Sequence, residues 1–106
     1  MSARREAPDT TATLVRALLA DAAAAGCIAC EVSVEARDWA SATFVGTQAW
    51  VVLALAGVGV DDWLARLPEA DLPLWRHVVA DIVVDADAMV AGERQVTLAV
   101  LTLVAA

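Results

Sequence analysis

A chain of 106 residues has the length of one domain, and 60% of it is hydrophobic, with a mean hydropathy of +0.66. Folding a chain of this size leaves much surface for its volume, so part of that apolar material is expected on the outside, where it marks a partner or a ligand. The formal net charge is −7, from fourteen acids against seven basic residues that are all Arg, with no basic cluster beyond Arg4-Arg5. This argues against a nucleic-acid track and against an anionic membrane surface.

In chain order, residues 1–8 are polar, include Pro8, and are expected to form a disordered tail, leaving 9–106 as the single domain. Asp9, Thr10 and Thr11 offer helix-capping oxygens. Leu14, Val15, Leu18, Leu19, Ala22 and Ala25 then recur at helical spacing, which predicts a helix over about residues 10–25. Gly26 is placed to close it with a left-handed cap.

The period next switches to two. Ile28, Cys30, Val32 and Val34 point one way, Glu31, Ser33, Glu35 and Arg37 the other, as in a half-buried strand. Asp38 to Ser41 reads as a hairpin turn, with a return strand through Ala56. Gly46 inside that strand suggests a bulge or a close backbone approach. Trp50, Val52 and Ala54 share one face and Val51, Leu53 and Leu55 the other, so both faces need cover.

Gly57 and Gly59 break the strand, and Asp61 can cap a short helix carrying Trp63, Leu64 and Leu67 before Pro68. After Pro73 a third strand places Val78, Ala80, Ile82, Val84 and Ala86 in one row and His77, Val79, Asp81, Val83, Asp85 and Asp87 in the other. A turn at Gly92-Glu93-Arg94 leads to a last strand, Val96 to Val104. The fold class expected is α+β, a four-stranded antiparallel sheet of two hairpins with one main helix on one face, in the order α-β-β-α-β-β.

Two membrane readings fail. Trp39 to Val60 is uncharged over a spanning length, but Ser41, Thr43, Gly46, Thr47 and Gln48 interrupt it. Ala24-Ala25-Gly26-Cys27 resembles a lipoprotein cleavage site, but Arg16 and Asp21 break the apolar stretch before it. The expected location is cytoplasmic, where the free thiols of Cys27 and Cys30 suit a reducing environment.

Chemistry is thinly represented. Cys27-x-x-Cys30 follows a helix instead of opening one, so the helix field does not favour a thiolate. A zinc site needs more ligands than His77, the single imidazole, can add. No metal and no cofactor is expected. His77 and Asp81 share a strand face at a spacing of about 13 Å, too far for a direct bond, so Glu35 or Glu31 on a neighbouring strand would have to supply the carboxylate that orients an acid–base histidine. Trp50 is expected in the core and Trp63 against the sheet, whereas Trp39 and Trp75 are candidate exposed anchors for a partner.

Counting layers gives the functional expectation. One helix covers one sheet face, leaving Val51, Leu53, Leu55, Val79, Val83, Leu101 and Leu103 for a second face. The chain is therefore expected to be a homo-oligomer, most simply a twofold dimer, that acts as a non-enzymatic interaction or assembly domain and can take a protein partner on that face. The alternative is a small-molecule-binding or small enzyme domain, with His77, Asp81 and Glu35 as the polar groups of an apolar sheet-face pocket.

Overall fold

The computed structural model describes residues 7–105. Helix α1 (Ala7–Ala24) leads into the hairpin of β1 (Ile28–Ala40) and β2 (Val45–Ala56). A short helix α2 (Val60–Arg66) continues as a 3-10 turn, Leu67–Glu69, and the second hairpin joins β3 (His77–Val90) to β4 (Glu93–Val104). All neighbouring strands are antiparallel, in the order β1-β2-β4-β3, so β2 and β4 are central while β1 and β3 form the edges. The expected α-β-β-α-β-β architecture is the one observed.

Local chemistry explains the boundaries. The helix begins at Ala7, so the last two residues of the expected tail belong to its first turn, while residues 1–6 lie outside the described residues. At its other end Gly26 adopts φ +87°, the Cys27 amide donates to the Ala22 carbonyl (2.9 Å) and the Gly26 amide donates to that of Ala23 (3.0 Å). This is a Schellman closure at the expected glycine. In the first hairpin Ser41 Oγ accepts from the amides of Thr43 and Phe44, which sets the turn at 41–44 instead of 38–41. The second turn also lies slightly earlier than expected. Ala91 and Gly92 both have positive φ, as a two-residue hairpin loop of the right hand requires, and Glu93 and Arg94 already pair within the strand.

The short helix departs from expectation in its cap. Gly59, not Asp61, occupies the N-cap position, without a side-chain cap bond. Asp61 instead sits in the first turn and accepts from Arg94 Nη1 at 2.8 Å. Arg94 also grips Asp87 with two parallel bonds, Nε to Oδ1 (3.0 Å) and Nη2 to Oδ2 (2.8 Å), so one guanidinium ties α2, β3 and β4 together. Those bonds hold the Asp87 carboxyl below its usual range. A carboxyl depressed in the folded state adds stability above its unfolded value of about 3.8, and that stability is lost as pH falls through the folded value. Asp87→Asn is therefore expected to lower stability at pH 7 and to converge with the parent protein as pH falls through the depressed folded-state value, as read by urea titrations across pH. Because the Asp87 side chain is 38% exposed, screening keeps the effect to no more than about 1 kcal/mol.

The core lies between the helices and one sheet face. Leu14, Val15, Leu18 and Ala22 of α1 and Val60, Trp63 and Leu64 of α2 pack on Val51, Leu53 and Leu55 of β2 and Val96, Leu98 and Val100 of β4. Trp63 is 1% exposed, and its indole N–H donates to Asp21 Oδ2 of α1 at 2.8 Å, so the largest core side chain leaves no donor unpaired. Asp21→Ala removes that acceptor and is expected to cost about 1–2 kcal/mol, the penalty for an unpaired buried donor, measured by chemical denaturation.

Strand phase is where the sequence pattern and the structure part. Val32 of β1 and Ala80 and Asp85 of β3 are bulge residues without a cross-strand partner, and each one shifts the alternation by a residue. Cys30, expected in the core row, is consequently exposed, while Val34 beyond the bulge packs on the core. In β3 only Ile82 is deeply buried, and Val78, Val84 and Ala86 of its expected apolar row are exposed. Val51, Leu53 and Leu55, expected on the uncovered face, are buried under the helices, and Val79 is half-buried on the same side.

Candidate functional site

The face turned away from the helices is set by parity. Because odd residues of β2 and even residues of β4 are buried, Gln48, Trp50, Val52 and Ala54 of β2 and Thr97, Ala99, Leu101 and Leu103 of β4 point to the open side, each half-buried by its neighbours. They form a mostly apolar band along the two central strands. Trp50, expected in the core, belongs to this band. Edge strands frame it. From β1 come Glu35, Arg37 and Trp39, opposite Trp50, Gln48 and Gly46, and from β3 come Asp81 and Val83, opposite Leu101 and Ala99.

The Arg37 guanidinium lies over the Trp50 ring, 5.1 Å from its centroid, a cation–π contact that holds the charged head above the band. Gly46 is a close-approach position, as its sequence context suggests: a Cβ there would overlap the Thr102 carbonyl of β4. The open face thus has an apolar middle, two indoles and a charged rim, the anatomy of a protein interface.

The residues expected to share a pocket are dispersed. His77 opens β3 and pairs with Val104, and its Nδ1 lies 3.1 Å from the Trp75 carbonyl, which can only accept and so draws the ring proton to that nitrogen. The bulge at Ala80 turns Asp81 to the opposite side of the sheet from His77. Glu35 lies on β1, the far edge strand, three strand spacings or about 14 Å across the sheet. His77 therefore has neither carboxylate beside it. Trp75 is 77% exposed just before β3, with the Arg76 guanidinium 4.6 Å from its ring centre and the Arg76 backbone at φ +62°. Trp39 is half-buried at the rim of the open face.

Several concavities lie elsewhere. A groove of about 500 Å³ runs between α1 and β1, with Val15, Leu19 and Val34 in its walls and Arg16 and Glu31 among its lining residues. A smaller one, about 190 Å³, is bounded by Thr10, Thr13, Leu74, Trp75, Arg76 and His77. Among the described residues no group of three or more His, Cys, Asp or Glu is placed to hold a metal ion, and no helix is long and apolar enough to cross a membrane. Of the two thiols, Cys27 is buried, which pushes its pKa up, and Cys30 stands exposed on the open face.

Sequence reasoning missed Arg37 and Trp50 as parts of this surface. A signal for both was present, since Gln48 shares parity with Trp50 and Val52, and Gln95 and Thr97 share parity with Leu101. A large polar side chain such as glutamine marks the row that faces away from the core, whereas the smaller Thr102 sits buried in the inward row of β4. No family model matches the chain, and no curated protein or solved structure matches it either.

Proposed function

We propose that this protein is a non-enzymatic assembly domain that associates with itself through the open face of its sheet. The observation that carries the reading is a contrast between face and edges. The central strands β2 and β4 present Trp50, Val52, Ala99, Leu101 and Leu103 in a continuous band, whereas both edge strands are interrupted by bulges. Bulges are a standard means of preventing strand-to-strand association at a sheet edge. With edges blunted and the face left apolar, association through the face is favoured. Four strands about 4.8 Å apart and about twelve residues long make a face of roughly 700 Å², and two such faces bury the roughly 1,200–2,000 Å² typical of a stable complex. The surplus of acids keeps such a subunit soluble before it pairs, and its two free thiols fit a reducing cytoplasmic setting.

Cys30 gives a direct test because it sits on the face in question, with buried Cys27 as the unreactive internal reference. Alkylation of Cys30 in the native protein is expected to be slow at high protein concentration and to accelerate on dilution. A rate that does not depend on concentration and equals that of the unfolded chain would mean that the face stays open.

The small-ligand reading rests on the concavity beside His77 and Trp75. His77 also lines a second concavity of about 310 Å³ with Asp71, Leu72 and Val79, but neither it nor the one of about 190 Å³ is lined by Asp81 or Glu35. The polar groups expected to converge in a pocket therefore do not meet, and the assembly reading is preferred.

A further inference from the structure

The cross-strand register fixes what lies level with what on the open face. One row reads Arg37, Gln48, Leu101, Asp81 from edge to edge, so the one cation that the described strands place on the open face and an acid occupy opposite ends of the same level. The next row reads Glu35, Trp50, Ala99, Val83, and another reads Trp39, Gly46, Leu103, Val78. Among the described residues neither Arg37 nor Asp81 has an ion-pair partner within the subunit.

From these rows we infer that the second copy is related to the first by a twofold axis parallel to the strands, lying between the two sheets, with reciprocal Arg37–Asp81 pairs closing both long sides. This rests on the assembly reading above and specifies its geometry. Such an axis preserves the level along the strands while it exchanges left and right, so β1 faces β3 and β2 faces β4 of the other copy. Arg37 then lies opposite Asp81 of the second copy, and Asp81 opposite its Arg37. Packed sheets stand about 10 Å apart, a gap that an arginine and an aspartate reaching from opposite sides can bridge. The same operation sets Trp50 against Ala99 and Leu103 against Gly46, large over small in both rows, as interdigitating sheet faces require. Arg37 is already held over the face by its contact with Trp50, so little ordering remains to be done on association.

The rival arrangement, an axis across the strands, stacks β1 on β1 and β3 on β3. The open-face positions of β3 are Val78, Asp81, Val83, Ala86, Ala88 and Val90, which include no cation. There Arg37 can meet only Glu35 of the other copy's β1, and Asp81 faces apolar groups or a second acid. The axis along the strands instead pairs Asp81 and leaves Glu35, opposite Val83, two residues from Arg37 on the same face, so the charge pattern favours that axis.

Charge reversal tests this geometry. Arg37→Asp and Asp81→Arg, prepared separately, are each expected to weaken self-association at least tenfold by sedimentation, because each sets like charges opposite one another twice. Both positions are exposed, so circular dichroism should show the fold unchanged. Mixed in equal amounts, the two variants are expected to form a heterodimer near parental affinity, since both sides of the interface then carry opposite charges. The chain carrying both changes should recover as well. Single variants that leave association unchanged, or weakened variants that neither mixing nor combination restores, would overturn the axis while a dimer abolished by Leu101→Asp would leave the face reading standing. A parental protein that is monomeric at every concentration would overturn both.

Discussion

Trp63→Ala is expected to lower the stability of the subunit by about 3–5 kcal/mol, the range for truncating a large buried aromatic. Total stability of a domain is about 5–15 kcal/mol, so the variant should sit near the edge of folding. Three features concentrate the loss at this residue. Trp63 is 1% exposed, it is the largest fully buried side chain, and its indole N–H bonds to Asp21 across from α1. Removing it leaves a cavity between α1, α2 and the sheet and leaves the Asp21 carboxylate without its donor. Urea denaturation followed by far-ultraviolet circular dichroism measures the loss. A decrease under about 1 kcal/mol would mean that α2 is not a structural member of the core, contrary to this packing.

Leu101→Asp is expected to act on assembly instead of on the fold. Leu101 is half-buried on the open face, in the row between Arg37 and Asp81. In a twofold complex each substitution counts twice, so two carboxylates would enter the apolar middle of the interface with no cation assigned to them. Desolvating charges without partners costs several kcal/mol, and about 4 kcal/mol corresponds to roughly a thousandfold weaker association. The variant should run as a folded monomer at concentrations where the proposed dimer of the parent forms, with an unchanged circular dichroism spectrum. Unaltered association of a folded Leu101→Asp protein would remove the open face from the interface.

The features legible in the sequence were those set by local chemistry. The helical spacing of Leu14, Leu18 and Ala22 and the cap at Gly26 located α1 to within a few residues. Alternation located all four strands, because period two survives whichever way a strand faces. Phase was harder to read. Val32, Ala80 and Asp85 are bulge residues that nothing in their type announces, and each moves the side chains beyond it to the opposite face. That shift separated His77 from Asp81 and exposed Cys30. Glu35 was lost from the expected pocket for a different reason: strand order, which depends on how two hairpins join, put β1 and β3 at opposite edges.

An uncovered apolar face followed from layer counting, yet its membership did not. The expected set mixed Val51, Leu53 and Leu55, which the helices bury, with Leu101, Leu103 and Val83, which remain open. In strands apolar on both sides, hydrophobicity alone does not distinguish core from surface. Gln48 in β2 and Gln95 in β4 lie in the outward rows and gave a partial signal, which Thr47 and Thr102 in the inward rows offset.

The measurement closest to the central claim is the mass of the parental protein by sedimentation equilibrium over a dilution series from millimolar to nanomolar. The open sheet face predicts twice the subunit mass at the upper end and a reversible fall toward the subunit mass on dilution. The subunit mass throughout, with the protein folded, would contradict it and show that the band formed by Trp50, Val52, Leu101 and Leu103 remains in water.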